Sequence, residues 1–247
     1  MKGVLARMEW QAEGTVIARR PHGETAVIIE VITAEYGRHA GLVPGGASRK
    51  RVAMLQPGNR LALRWRARTE DQLGHFSAEP VRARANLLAD PLALAGLNAV
   101  CALMSFALAE RDPHPRFVLM SEHLLDRMDA GEEWAGDYLM WEMRLLDEMG
   151  FGLDLTSCAV TGATENLAYV SPRTGRAVSR EGAGDWADRL LPLPRLLGGT
   201  ESNGDGLTQG LALTGHFLHN RLAAGQIGQP LPESRGRLIR RLARPSA

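Results

Sequence analysis

The 247-residue sequence is short of cysteine and of long hydrophobic runs. Its two cysteines, Cys101 and Cys158, exclude a zinc site built from four thiolates, and a single disulfide is unusual in a reducing compartment. The most apolar stretch, residues 87–108, is interrupted by Asp90 and Pro91, whereas a membrane helix needs about 20 apolar residues. The start of the chain lacks the pattern of a secretory leader. We therefore expect a cytoplasmic protein without membrane contacts.

Sequence signatures of common enzymes are also missing. The chain contains neither a Gly-Lys-Ser/Thr phosphate-binding loop nor a Gly-x-Ser-x-Gly nucleophile turn. His216 and His219 could share a metal with Cys158, but histidines at this spacing are more typical of surface or core positions. Carboxylates between residues 132 and 148 alternate with apolar residues, which favours a solvated helix face over a catalytic pair. Cys101 is expected in the core, and we predict no metal, no cofactor and no enzymatic activity.

Charge is segregated along the chain although the net charge is only +1. Residues 1–85 carry a net charge of +6, residues 86–150 a net charge of −8, and residues 151–247 a net charge of +3. A basic segment next to an acidic one favours a polyanion-binding module joined to a part that does not bind polyanions. An accidental distribution of solvated charges is the alternative.

Residues 9–85 contain five short β-rich segments separated by turns. The predicted strands are 15–19, 26–32, 38–43, 60–68 and 76–82. Five short strands without helical periodicity favour a small β-barrel, and an OB-fold is the leading candidate. We therefore assign residues 8–85 to an OB-fold domain that binds nucleic acid.

From Asp90 onward the apolar residues recur at helical spacing. Asp90 followed by Pro91 is a typical helix start, with an N-cap and a proline in the first turn. The predicted helices are 90–112, 115–128, 134–149, 185–191, 207–223 and 233–242. The sequence thus predicts an α+β protein of two domains, the second being helical over residues 86–247. Residues 151–185 are expected to form a turn-rich insertion within it.

The basic residues of the barrel point to nucleic acid. In the run RLALRWRAR of Arg60–Arg68, alternation places leucines and Trp65 on one face and arginines on the other. Those arginines recur about every 6.8 Å, which is close to the phosphate spacing of an extended single strand. Ser48–Arg51 follows two glycines and is expected to be a basic loop, whereas Trp65 is expected in the core. The alternative for the arginines is an ordinary solvated face.

This prediction names two sets of residues, one of cations that bind phosphates and one of rings that stack on bases. The predicted nucleic-acid-binding residues, which the resemblance described below assigns to DNA, are Arg19, Arg20, Arg38, Arg49, Lys50, Arg51, Arg64, Arg66 and Arg68. The candidates for base stacking are Tyr36, His39, His75 and Phe76.

Several segments together resemble one known family. They are MEWQAEGTVIARRPHGETAVIIEVITAEYGRHAGLVPGGASRK, LQPGNRL, EMRLLDEMGFGLDLTSCAVTG and LTGHFLHNRL with GQPLPESRGRLIRRL. In this order, and over nearly the whole chain from Met8, they resemble the RecO family of DNA repair proteins. The resemblance implies a recombination mediator that binds and anneals DNA strands. It also implies that the protein engages RecR and single-strand binding protein and helps to load RecA onto coated single strands.

The sequence departs from the family pattern in two places. Many members carry a zinc module of two Cys-x-x-Cys pairs, whereas this chain has Cys158 and then Thr161, and lacks the second pair around residues 178–181. We therefore expect residues 151–185 to be a degenerate, metal-free zinc-ribbon-like insertion. A lysine that the family tends to carry near the third strand is replaced by Pro44-Gly45, and Arg49, Lys50 and Arg51 are the candidates to take over its contact. Met8 fits the family start better than Met1.

The resemblance further implies that the helical domain receives the acidic C-terminal tail of single-strand binding protein. A tail with an aromatic end needs an apolar pocket with a cationic rim. The candidate rim cations are Arg116, Arg127, Arg144 and Arg221, and the candidate walls are Phe117, Leu124, Met140 and Leu218. The alternative is that the tail binds the basic barrel by charge alone.

Two other functions remain open from the sequence. The chain could be an RNA-binding OB-fold protein, or an adaptor whose basic surface binds acidic proteins without touching nucleic acid.

Overall fold

The computed structural model describes residues 8–69, 72–200 and 206–243. The chain forms two compact units that divide between Glu132 and Glu133. The first unit holds a five-stranded sheet and four helices, and the second is mainly helical, so the predicted α+β class is confirmed. In the described ranges no helix has the length and apolarity to cross a membrane. Residues 1–7, which bear on the choice between Met1 and Met8, lie outside the described residues.

Five strands form the N-terminal sheet, close to the predicted positions. They are β1 Met8–His22, β2 Ala26–Thr33, β3 Gly37–Val43, β4 Arg60–Ala67 and β5 His75–Arg82. Neighbouring strands pair in the order β1-β2-β3-β5-β4, and β4 pairs again with β1, so the sheet closes into a barrel. All pairs are antiparallel except β3 with β5.

Strand β1 is much longer than the predicted segment because it serves two neighbours. Its first half pairs with β4 from Met8 to Thr15, and its second half pairs with β2 from Gly14 to His22. The strand changes partner at Gly14, where a Cβ atom would lie 2.8 Å from the Ile32 carbonyl oxygen. A glycine at this position therefore allows the close strand approach that closes the barrel.

Alternating side chains fill the barrel. The core contains Val16, Val27, Ile29, Val31, Val43, Leu55, Leu61, Leu63, Trp65 and Phe76. Trp65 is buried as predicted, and its Nε1 donates a hydrogen bond to the Leu73 carbonyl at 3.1 Å. Ile28 and Ile32 of β2 are also buried, and α4 (Pro115–Ala130) packs on this strand. Helix α3 (Pro91–Ala107) packs on β1.

Two shorter helices complete the first unit. They are α1 (Arg49–Met54), between β3 and β4, and α2 (Asn86–Ala89). The expectation of a loop at Ser48–Arg51 is therefore wrong from Arg49 onward. Helix α3 begins as predicted, because the Asp90 carboxylate accepts a hydrogen bond from the Ala93 amide at 2.6 Å. Cys101 on this helix is buried as expected, and burial raises the pKa of its thiol to about 12.

The second unit packs helices with a small sheet. Its elements are α5 (Ala135–Glu148), β6 (Leu167–Val170), β7 (Ala177–Ser179), α6 (Arg180–Ala183), β8 (Leu191–Pro192), α7 (Gly206–Phe217), a π-helical segment (Leu218–Ile227) and α8 (Glu233–Leu242). Strands pair in the order β7-β6-β8, so the segment expected to be only turn-rich contains sheet. Tyr138, Trp141 and Leu145 of α5 are buried.

A buried ion pair fixes α8 within this unit. Arg235 donates from Nε and Nη2 to the two carboxylate oxygens of Glu142, at 2.7 and 2.8 Å. Arg235 also donates to the Leu211 carbonyl at 2.7 Å, and Thr214 donates to Glu142. The expectation that all carboxylates between residues 132 and 148 are solvated is therefore wrong for Glu142, which is completely buried.

Candidate nucleic-acid interface

The outer face of β1, β4 and β5 carries the alternating arginines. Arg64 and Arg66 are exposed, whereas Trp65 between them is buried, so the predicted alternation is confirmed. Both arginines contact Glu9 on β1, with an Nε to carboxylate distance of 3.4 Å for Arg64 and 3.1 Å for Arg66. Arg68 follows the strand and is exposed. The positive charge of this face is thus partly neutralised within the protein.

A second basic surface lies where the β1–β2 hairpin meets α1. We call it the hairpin patch, and it consists of Arg19, Arg20, Arg49, Lys50 and Arg51. Arg19 Nη1 donates to the Val52 carbonyl at 3.3 Å, and the Ala47 amide donates to the Thr25 carbonyl at 3.0 Å. These two contacts bring the hairpin and α1 together.

The hairpin patch differs in its charge balance from the outer face of β1, β4 and β5. All five cations of the patch are exposed. Across the described ranges none of them forms an ion pair with a carboxylate. The patch therefore concentrates positive charge, although Glu30 and Glu110 line the same cavity as Arg19 and Arg20.

The guanidinium of Arg38 is held by contacts within the protein. Its guanidinium contacts the Glu30 carboxylate, and its Nε donates to the Leu108 carbonyl at 2.9 Å. Its side chain is only 17% exposed, and Glu110 lies 3.9 Å away. These contacts occupy the guanidinium, so Arg38 is less able than the residues of the hairpin patch to bind a phosphate.

The candidates for base stacking are mostly internal. Phe76 and His39 are buried beside Trp10, and this overturns their assignment as exposed stacking residues. Burial and the nearby Arg111 cation lower the pKa of His39 to about 4. Tyr36 is half-buried and stacks on Trp10 with ring centroids 4.5 Å apart. His75 is exposed on β5 and remains a candidate.

The residues expected to bind an acidic tail are not assembled as the sequence suggested. Phe117, Leu124 and Leu218 are fully buried, so they do not wall an open pocket, whereas Met140 is exposed. Arg127 is paired with Glu132 and Arg144 with Asp147 and Glu148, while Arg116 is exposed.

Arg221 lines a small cavity of about 110 Å³ in the second unit. Its other lining residues are Gly150, Phe151, Gly152, Leu153, Thr174, Gly175 and Phe217. Of the four predicted rim cations, Arg221 is the one that borders this partly apolar cavity.

Three residues of the insertion lie close to Cys158. Thr161, Ser179 and Gly182 surround Cys158, with the spacing of two Cys-x-x-Cys pairs. Burial raises the pKa of the Cys158 thiol, but hydrogen bonds from Ser179 and Thr161 outweigh it and lower the pKa to about 6. In the part of the chain that the structure describes, no three His, Cys, Asp or Glu residues are grouped as metal ligands.

Sequence reasoning missed a buried network in the first unit. Arg84 donates to Glu122 at 2.6 Å, to Asp126 at 2.7 Å and to the Gly58 carbonyl at 2.7 Å. Burial lowers the pKa of Arg84, but Glu122 and Asp126 outweigh that effect and raise it. Because Glu122 also accepts from Thr15, the network fastens α4 to the barrel wall that carries β1. The contacts of this network join residues 26 to 107 positions apart, which no local sequence pattern reports.

Comparisons with known proteins cover nearly the whole chain. Residues 8–84 match the family model described as recombination protein O N terminal, and residues 88–229 match recombination protein O C terminal. DNA repair protein RecO of Paracoccus denitrificans is 66% identical over 235 residues, covering 95% of this chain and 96% of that protein. The RecO proteins of Cereibacter sphaeroides and Dinoroseobacter shibae are 56% and 52% identical over 238 residues, each covering 96% of this chain and 99% of the relative. The resemblance inferred from the sequence is therefore confirmed, and the chain belongs to the RecO family of DNA repair proteins.

Proposed function

We propose that the protein is a DNA-binding recombination mediator and not an enzyme, and that its barrel, an OB-fold, holds single and double strands through the hairpin patch. The observation that carries this proposal is the set of five exposed cations around the β1–β2 hairpin and α1, without carboxylate partners in the described ranges. The strand order of the barrel and its helix between β3 and β4 support the OB-fold assignment. In OB-folds the loop between the first two strands commonly contributes to the nucleic-acid surface.

The chemistry of the patch favours binding without sequence preference. Arginine and lysine bind phosphate oxygens by charge and hydrogen bonds, and these contacts carry no base information. Five phosphate contacts on a single strand give a slope of roughly −3 to −4 in a plot of log affinity against log salt concentration. The Arg64, Arg66 and Arg68 face contributes further contacts, which the nearby Glu9 weakens.

Membership of the RecO family supports a role in strand annealing and in RecA loading. In this role the protein anneals complementary strands, works with RecR, and helps RecA to load onto strands coated with single-strand binding protein. A protein that contacts the phosphate backbone of DNA leaves the base edges free to pair, which suits annealing.

The acidic tail of single-strand binding protein is the second proposed partner. We assign its contact to the cavity in the second unit that Arg221 borders and that Phe151 and Phe217 also line. A tail peptide that lacks its terminal aromatic residue should bind about 1 to 3 kcal/mol more weakly. Loss of tail binding in a variant with Arg64, Arg66 and Arg68 changed to Ala would instead assign the tail to the barrel.

A direct experiment compares labelled single-stranded DNA, duplex DNA and RNA of equal length at two salt concentrations, and then measures annealing of complementary strands. We expect salt-sensitive binding to both DNA forms and accelerated annealing. Tighter binding to RNA would favour the RNA-binding alternative. Binding of acidic peptides without binding of either nucleic acid would favour an adaptor.

A further inference from the structure

The outer face of β1, β4 and β5 carries side chains in regular rows. The strand register sets Glu9, Arg66 and His75 in one row, and Gln11, Arg64 and Ser77 in the next. These residues are exposed and, apart from Glu9 and His75, line a groove of about 550 Å³. Glu13 and Glu79 in the following row also line the groove, and their carboxylates repel a phosphate.

Glu9 holds two guanidinium groups at once. Arg66 contacts its carboxylate through Nε and Nη2, both at 3.1 Å, and Arg64 contacts it through Nε at 3.4 Å. A carboxylate and a phosphate present the same kind of oxygen acceptor to arginine, and both are bound in the same planar geometry. The position between Arg64 and Arg66 is therefore an anion site that the protein fills with its own side chain.

This contact is open to solvent and hence weak. The side chains of Glu9, Arg64 and Arg66 are 36%, 46% and 50% exposed. Exposed ion pairs are screened by water and salt, so a ligand that carries many charges displaces them readily. A nucleic-acid strand that releases counterions on binding is such a ligand.

We propose that Glu9 occupies the place of a nucleic-acid phosphate between Arg64 and Arg66, and that it must leave before this face binds a strand. This inference rests on the proposed DNA-binding function and adds an internal competitor to it. Glu9 prevents weakly held strands from binding to the outer face of β1, β4 and β5, whereas the hairpin patch is free to bind them. Strands anchored at the patch raise the local phosphate concentration enough to displace Glu9.

The test is the variant Glu9→Gln, compared with the matched control Glu79→Gln. Both changes remove one negative charge from the same face, but Glu79 has no ion pair with either arginine in the described residues. We expect Glu9→Gln to bind single-stranded DNA about fivefold more tightly at low salt, and Glu79→Gln less than twofold more tightly. The salt slope of Glu9→Gln should steepen by about 0.7, because one more phosphate is bound at the position that Glu9 leaves.

The same change in a protein without the two arginines tests whether Glu9 acts through them. In a protein that already carries Arg64→Ala and Arg66→Ala, adding Glu9→Gln should change the affinity no more than Glu79→Gln does. Equal gains from Glu9→Gln and Glu79→Gln in the otherwise unchanged protein would overturn the inference, and so would a gain that persists without the arginines. If the unmodified protein does not bind DNA at all, the proposed function fails, and the inference fails with it.

Discussion

Replacing Arg84 with methionine tests the buried network that fastens α4 to the barrel. The Arg84 side chain has no solvent exposure, and its partner Glu122 is only 11% exposed. Methionine fills much of the same space but leaves the Glu122 charge without its main counterion. Breaking one side of a buried pair costs about 3 to 5 kcal/mol, because the remaining charge stays buried and unpaired. For a unit of this size, that loss lowers the melting temperature by about 10 to 20 °C.

The assay is urea and thermal unfolding followed by circular dichroism. Its control is the double variant Arg84→Met with Glu122→Gln, in which no buried charge is left. Removing both charges of a buried pair is far less costly than removing one, so the double variant should recover more than about 1 kcal/mol. An Arg84→Met protein within about 1 kcal/mol of the original, or a double variant no more stable than the single one, would refute the role of this network.

Three further changes test other parts of the structure. Glu142→Gln removes the counterion of buried Arg235 and should cost about 3 to 5 kcal/mol in urea unfolding; a loss under 1 kcal/mol contradicts this. His39, with its pKa lowered to about 4, should cost the protein about 3 kcal/mol as pH falls from about 6.5 to about 4, since only the unfolded state takes up the proton. His39→Leu should remove that pH dependence, and an unchanged profile would assign it elsewhere. Metal analysis should find substoichiometric zinc, and a chelator should leave the melting temperature unchanged, because a structural zinc contributes about 10 kcal/mol or more; stoichiometric zinc would return Cys158 to the list of ligands.

Much of the fold was predictable because its patterns are local. Alternation over Arg60–Arg68 fixed which side chains enter the barrel, and Asp90-Pro91 marked the start of α3. Helix α1 was missed because its six residues bury none of their side chains and show no apolar stripe. The sheet β6–β8 was missed because strands of two to four residues are too short to show a period.

The candidate site was predictable only in part, since ion pairing depends on strand register. The sequence shows that Arg64 and Arg66 share a face, but Glu9 lies 57 residues from Arg66 along the chain and meets it only through the pairing of β1 with β4. The same holds for Arg38, whose partner Glu30 faces it across β2 and β3. Burial of His39 and Phe76 likewise follows from how the barrel closes.

The most direct test of the DNA-binding assignment is the salt dependence of single-strand binding in a variant of the hairpin patch. Changing Arg20, Arg49, Lys50 and Arg51 together to Ala removes four phosphate contacts and should flatten the log–log slope by about two to three units. The control carries Arg173→Ala, Arg189→Ala and Arg195→Ala, which remove exposed cations from the second unit. We predict an unchanged slope in the control, and weaker binding with a much flatter slope in the patch variant. Equal slopes in the patch variant and the original protein would contradict it.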